Sequence, residues 1–179
     1  MSGKHEKGNG KIFIAVIIVF AIIIGIFALI NLMFNINGDE VGLVDGVCFN
    51  MSVSEMKKIS GKDYELYDET QFSDCRNYVY NTKYADKNAT LVYIMEKKTF
   101  GFRLKQFQLN VIDGDKETFD SIKKTIAKQY SDDKNFSEGK EVEADGVTTL
   151  EMGTVKNDSG VLIQMSLKDG YISINIEKK

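Results

Sequence analysis

Hydrophobic and polar positions divide the chain into one long apolar run, interrupted only by Asn31, and a long remainder in which apolar residues recur with period. Residues 12–34 read IFIAVIIVFAIIIGIFALINLMF, without a charged residue or a proline. At a helical rise of about 1.5 Å per residue, roughly 23 residues cover about 34 Å, enough to cross a hydrocarbon core of about 30 Å with some tilt. Beyond it the pattern becomes that of a folded domain. Ser52-Val53-Ser54-Glu55 has the form of a capping box, and Val53, Met56 and Ile59 then share a face, which predicts a short helix ending near Gly61. Tyr78 to Tyr84 and Leu91 to Met95 alternate around a turn at Ala85-Asp86-Lys87-Asn88 and predict a hairpin. A third strand continues through Phe100, Phe102, Leu104, Phe107, Leu109 and Val111, with a phase slip near Lys105 and Gln106 that predicts a bulge. Phe119, Ile122, Ile126 and Tyr130 form the apolar stripe of a second helix with Asp115 as its N-cap. Three further strands follow, starting at Val147, Val161 and Tyr171, and Asp169-Gly170 marks the last hairpin. Residues 131–146 are charged, with few apolar anchors, and read as a surface loop.

The expected fold class is therefore α+β: an N-terminal single transmembrane helix, then an antiparallel sheet of two meanders of about three strands each, packed by two helices. The expected organisation is a basic cytoplasmic tail over 1–11, the transmembrane helix over 12–34, a juxtamembrane linker over 35–45 with a first strand near Val41 to Val44, and an extracytoplasmic domain over 46–179.

Charge orients that arrangement. The tail carries Lys4, Lys7 and Lys11 against Glu6, leaving 23 − 3 = 20 basic and 26 − 1 = 25 acidic residues for the rest. No Lys or Arg follows the run until Lys57. The positive-inside bias then places the amino terminus in the cytoplasm and the domain outside, single-pass in the cell membrane, with the bilayer contacted through residues 12–34. A cleaved secretory signal is the competing reading. The run exceeds the usual 7 to 15 residues of such signals, and its exit offers no small-residue cleavage pattern. An acidic domain gives no reason to expect nucleic-acid binding. The proline-free, Lys-, Asn- and Ile-rich composition is similar to that of chains from AT-rich bacterial genomes.

The stretch Phe49-Asn50-Met51-Ser52-Val53-Ser54-Glu55-Met56-Lys57-Lys58-Ile59-Ser60-Gly61 resembles the opening of small extracytoplasmic domains typified by the beta-lactamase-inhibitor-protein and outer-membrane-assembly-lipoprotein folds. Those open with an aromatic residue, a G-M-[ST] step, a short acidic helix and a glycine. This chain has Asn50 where glycine is usual and Ser60 where leucine is usual, and no proline follows Gly61. The resemblance implies a helix packed on an antiparallel sheet and a binding role, and it carries over no catalytic residues.

Catalytic inventory is sparse. His5, the only histidine, lies in the tail, so the domain has no imidazole for a triad or a zinc site. Asp113 to Asp120 alternates oxygen ligands but has Thr118 where a calcium loop needs glycine and Lys124 where it needs glutamate. No enzymatic activity, metal or cofactor is expected. The four N-x-[ST] sequons at Asn50, Asn88, Asn135 and Asn157 are not expected to carry glycans. Cys48 and Cys75 both fall in the exported part, and a disulfide between them is favoured over two buried thiols; closing the loop would contribute roughly 3 kcal/mol. Aromatics interleaved with acids over residues 63–74 make Tyr64, Tyr67, Asp68 and Glu69 the candidate ligand-binding residues, for a peptide, a glycan or a cation. A solvated edge strand with its aromatics turned inward is the simpler reading of the same stretch. The expected function is a membrane-anchored domain acting by contact with a protein partner, and the alternative is an extracytoplasmic sensor or carrier of a small ligand.

Overall fold

The computed structural model describes residues 40–154 and 160–179. They belong to one compact unit, Gly38–Lys179. The elements are α1 (Val53–Asp63), β1 (Glu65–Gln71), β2 (Cys75–Tyr84), β3 (Lys87–Lys98), β4 (Gly101–Val111), α2 (Lys116–Tyr130), β5 (Phe136–Ser137), β6 (Val142–Ala144), β7 (Val147–Thr154), β8 (Val161–Lys168) and β9 (Tyr171–Lys178).

This corrects the expected fold class. In place of two meanders of about three strands, the described chain forms a single antiparallel nine-stranded sheet in the order β1-β2-β3-β4-β9-β8-β7-β5, with β6 also on β7, and the two helices are minor beside it. The transmembrane helix expected over residues 12–34 lies outside the described residues, and among the described residues no helix is long and apolar enough to cross a membrane.

The topology repeats. A helix followed by an antiparallel run of strands occurs twice, and the last strands of the two runs, β4 and β9, pair in the middle from Gln106↔Glu177 to Val111↔Ile172. Local chemistry builds each half. Ser52 accepts from the Glu55 N–H at 3.3 Å while the Glu55 carboxylate accepts from the Ser52 N–H at 2.7 Å, closing the capping box at the start of α1. The helix runs two residues past Gly61 because Tyr64, extended at φ −130°, caps it through its own N–H to the Ser60 carbonyl. Asp115 accepts from the Thr118 N–H at 2.8 Å and starts α2 as its acidic N-cap. Ala85-Asp86, Asp145-Gly146 and Asp169-Gly170 each place both turn residues at positive φ, the conformation that matches the twist of tight hairpins. The predicted bulge is Lys105: Ile94 pairs with Gln106 and Met95 with Leu104, so Lys105 has no partner on β3.

One face of the sheet is sealed. Tyr78, Tyr93, Phe107, Ile176, Ile163 and Met152 are successive cross-strand partners over six strands, and all are buried. Against this face lie the buried stripe of α2, Phe119, Ile122, Ile126 and Tyr130, and Met56 of α1. Tyr93 meets Tyr80 and Phe107 edge-on, with ring centroids 5.7 and 5.3 Å apart, a geometry that contributes about 0.5–1.5 kcal/mol per pair beyond area burial. The aromatics that crowd the early strands thus serve mostly as core. Residues 41–47 form turns in place of the expected first strand; Val41 and Val47 are fully buried, and Glu40 bridges to Cys48.

The expected Cys48–Cys75 disulfide is not formed. Cys75 opens β2, whereas the segment after Cys48 joins the far side of β4, where the Asn50 N–H donates to the Leu104 carbonyl at 2.9 Å. Strands β3 and β4 lie between, and with about 4.8 Å per strand the thiols fall well outside disulfide reach.

Ser60, fully buried, donates to the Tyr93 hydroxyl at 2.8 Å, and burial raises the Tyr93 phenol far above its ordinary value. Ser60→Ala leaves that hydroxyl short of a partner; the loss outweighs alanine's few tenths in helix propensity, and urea denaturation should show destabilisation of about 1–2 kcal/mol. Asp115 is held well below its ordinary value of 3.8, first by the Thr118 N–H and next by the Thr118 hydroxyl. A lowered folded value means that its stabilisation is complete above the ordinary value and is lost as pH falls below it. Urea midpoints measured from pH 6 down to pH 2 should therefore fall less steeply for Asp115→Asn than for the parent chain.

Candidate functional site

The opposite face of the sheet carries no helix among the described residues. Two rows of side chains cross it. Asn81, Thr90, Asn110, Ser173, Ser166 and Thr149 are successive cross-strand partners from β2 to β7. The adjacent outer row is Val79, Val92, Gln108, Asn175, Gln164 and Glu151. Of these twelve positions only Glu151 is charged. Pleating explains the composition: each neutral residue alternates with a buried apolar one on the same strand, so the polar half of the β pattern collects on one surface.

These side chains organise one another. The Ser173 hydroxyl donates to Asn110 Oδ1 at 3.0 Å, Asn110 Nδ2 donates to Thr90 Oγ1 at 3.4 Å, and Gln106 Nε2 donates to Asn175 Oδ1 at 2.7 Å. Gln164 Nε2 reaches Glu151 Oε2 at 3.4 Å. Amides fixed in this way keep donors and acceptors in set directions at little further cost in rotamer entropy. Towards β2 and β3 the surface turns apolar, through half-buried Val79, Val92 and Ile94.

At the β7 edge the face deepens into an open groove of about 450 Å³, lined by Thr149, Glu151, Gln164, Ser166, Ser173 and Asn175 and walled by Lys140 and Val142. The segment 138–141 brings Lys140 to that wall because β5 and β6 both pair with β7 and leave one residue too many between them, Ser137 standing opposite Gly153 and Val142 opposite Thr149. Glu141 accepts from Lys116 and Lys123 of α2, both at 2.8 Å, and these contacts hold its carboxyl below the usual range. Its neighbour Lys140 lines the groove. The wall passes so close to β7 that a Cβ on Gly139, at φ +65°, would lie 1.8 Å from the Glu151 carbonyl oxygen.

The residues singled out in the acidic stretch are not brought together. Tyr64 caps α1 and packs against the core, and burial raises its phenol. Tyr67 is the bulged residue of β1, 72 % exposed. Asp68 pairs with Val79 and shares the open face, whereas Glu69 pairs with Tyr78 on the helix side, where it accepts from Lys57 at 2.9 Å. That contact is the first cause of the lowered Glu69 value. Among the described residues no group of three or more His, Cys, Asp and Glu could hold a metal ion. The open amide face went unread because its residues come from six strands and are near one another only once the register is set.

No family model, curated protein or solved structure matches the chain.

Gly139→Ala adds a side chain at a left-handed φ and against a backbone oxygen, so the wall must move. Hydrogen exchange should then quicken at Val142–Ala144 and at the β7 amides that pair with them, with β2–β4 unchanged.

Proposed function

We propose that this chain is a membrane-anchored, extracytoplasmic binding domain that acts by presenting the open face of its sheet to a protein partner. The observation that carries the reading is the contrast between the two faces: one is closed by two helices, the other is open, and of the twelve side chains in its two central rows only Glu151 is charged. Six spacings of about 4.8 Å, from β1 to β7, and strands of about six paired residues give a projected face of about 600 Å², of the order of the roughly 800 Å² that each partner contributes to an ordinary protein–protein interface. Depletion of charge at its centre, with charges at the margin such as Asp68, Glu151 and Lys140, follows the usual distribution of interface core and rim. The groove is polar and open to the sheet, so it reads as part of the larger contact surface rather than as an enclosed ligand pocket.

Anchoring rests on the apolar run over residues 12–34 and the basic residues that precede it. Support for the resemblance of residues 49–61 to small extracytoplasmic binding domains comes from Asn50, where those domains usually have glycine. Its φ is +66°, a conformation that glycine and asparagine tolerate best.

Membrane crosslinking followed by mass spectrometry tests the reading. The full chain should give a specific protein adduct, and Gln108→Arg with Gln164→Arg should abolish it while shifting the urea midpoint little, since both side chains point away from the core. A chain that crosslinks to nothing, or that keeps its adduct with both arginines in place, would sink the proposal.

A further inference from the structure

The pairing of β4 with β9 begins only at Gln106, so the first half of β4 lacks that neighbour. The segment before α1 takes its place: the Leu104 N–H donates to the Met51 carbonyl at 3.0 Å, and Ser52 bridges to Arg103. Between this segment and the end of β9 the sheet leaves a cleft of about 330 Å³, lined by Asn50, Glu96, Lys98, Arg103, Lys105 and the Lys178-Lys179 pair. Five cationic side chains and the carboxylate of Glu96 line it, in a chain whose net charge is −3. The bulge contributes directly: it inserts Lys105 between Leu104, which faces the core, and Gln106, so β4 delivers two cations to one side of the cleft. Carboxylates offset part of this charge. Glu96 pairs with Lys98, Glu177 stands 3.4 Å from Lys105, and Glu55 is within electrostatic reach of Arg103. The Lys105–Glu177 distance exceeds the roughly 2.7–2.9 Å of a strong charge-assisted hydrogen bond, and both side chains are partly exposed, which leaves Lys105 able to turn to a ligand.

We propose that this cleft binds a phosphate-class oxyanion. Ammonium and guanidinium donors converge on a space large enough for one or two phosphoryl groups, and the Asn50 amide adds a neutral donor, held by a left-handed backbone. A free phosphate and a phospholipid headgroup offer the same chemistry, and the test separates them.

The full chain in a neutral detergent is titrated calorimetrically with inorganic phosphate, pyrophosphate and a water-soluble short-chain phosphatidylglycerol. Saturable binding of at least one is expected, weakening at higher salt as Coulomb attraction is screened. Lys98→Ala with Lys105→Ala should weaken it at least tenfold, whereas Lys124→Ala with Lys128→Ala on the exposed side of α2 should leave it within twofold. Asn50→Gly, which suits the backbone and removes only the amide, should weaken it about threefold with the urea midpoint retained. Tighter binding of the lipid than of pyrophosphate would identify a headgroup site, and the reverse order a site for free anions. Absence of saturable binding for all three probes, or equal binding by the Lys98/Lys105 variant, would overturn the proposal. Gln108 and Gln164 are not part of this cleft, so failure of partner crosslinking and failure of anion binding are separate results.

Discussion

The pairing of β4 with β9 is the interaction on which the rest of the structure depends. It joins two helix-plus-meander halves whose seam residues stand far apart in the chain, Gln106 opposite Glu177 and Val111 opposite Ile172. Either half alone would leave a central strand as an open edge, a ready template for unwanted pairing. Joined, they make the row from Tyr78 to Met152 continuous, and a continuous apolar face has to be covered along its whole width. Two helices, each with one apolar stripe, meet that need from the same side. The two edges that remain are guarded in different ways. On β1 the bulge at Tyr67 and the carboxylates Glu65, Asp68 and Glu69 spoil a flat ladder, and at the other end β5 and β6 are only two and three residues long.

Covering one face leaves the other to solvent or to a partner, and the side chains there are not those of an ordinary solvated sheet. Solvated faces usually carry long charged residues, whose ends remain mobile. Here the central rows carry Asn, Gln, Ser and Thr, several held by hydrogen bonds to neighbours on adjacent strands. Short, fixed, uncharged groups lose little rotamer entropy when another protein covers them and cost far less to desolvate than charges, and that physical property separates this face from mere polarity.

What the sequence disclosed was whatever depends on near neighbours. The capping box at Ser52, the N-cap at Asp115, the stripe on α2, the Asp169-Gly170 hairpin and the bulge at Lys105 each have their cause within a few residues, and each is present. Residues 136–144 escaped because β5 and β6 have too few apolar positions to show a period, although Asp145-Gly146 carries the same hairpin signal as Asp169-Gly170. Joining the meanders into one sheet depends on a pairing that no local signal marks. The cysteines illustrate the same limit, since loop-closure entropy says how much a bridge would stabilise and nothing about the two strands that come between. In the acidic stretch, adjacency in sequence was misleading for a simpler reason. Consecutive residues of a strand face opposite ways, so Asp68 and Glu69 are divided between the two faces of β1.

The region around Asn50 shows how one irregularity can serve both fold and surface. Because β9 reaches only as far as Gln106, the backbone groups of Leu104 need another partner, and the segment before α1 supplies it through Asn50 and Met51. To do so the chain passes through a left-handed residue and enters α1 directly at the Ser52 cap, so the helix is placed by the same hydrogen bonds that complete β4. Two segments that replace one strand do not fill the strand's width, and the space left over is the cleft. A bulge in the same stretch turns Lys105 towards it beside Arg103. The concentration of positive charge in an acidic chain thus arises where the regular ladder is interrupted, because only there do side chains from β3, β4, β9 and the entry segment converge on a common space.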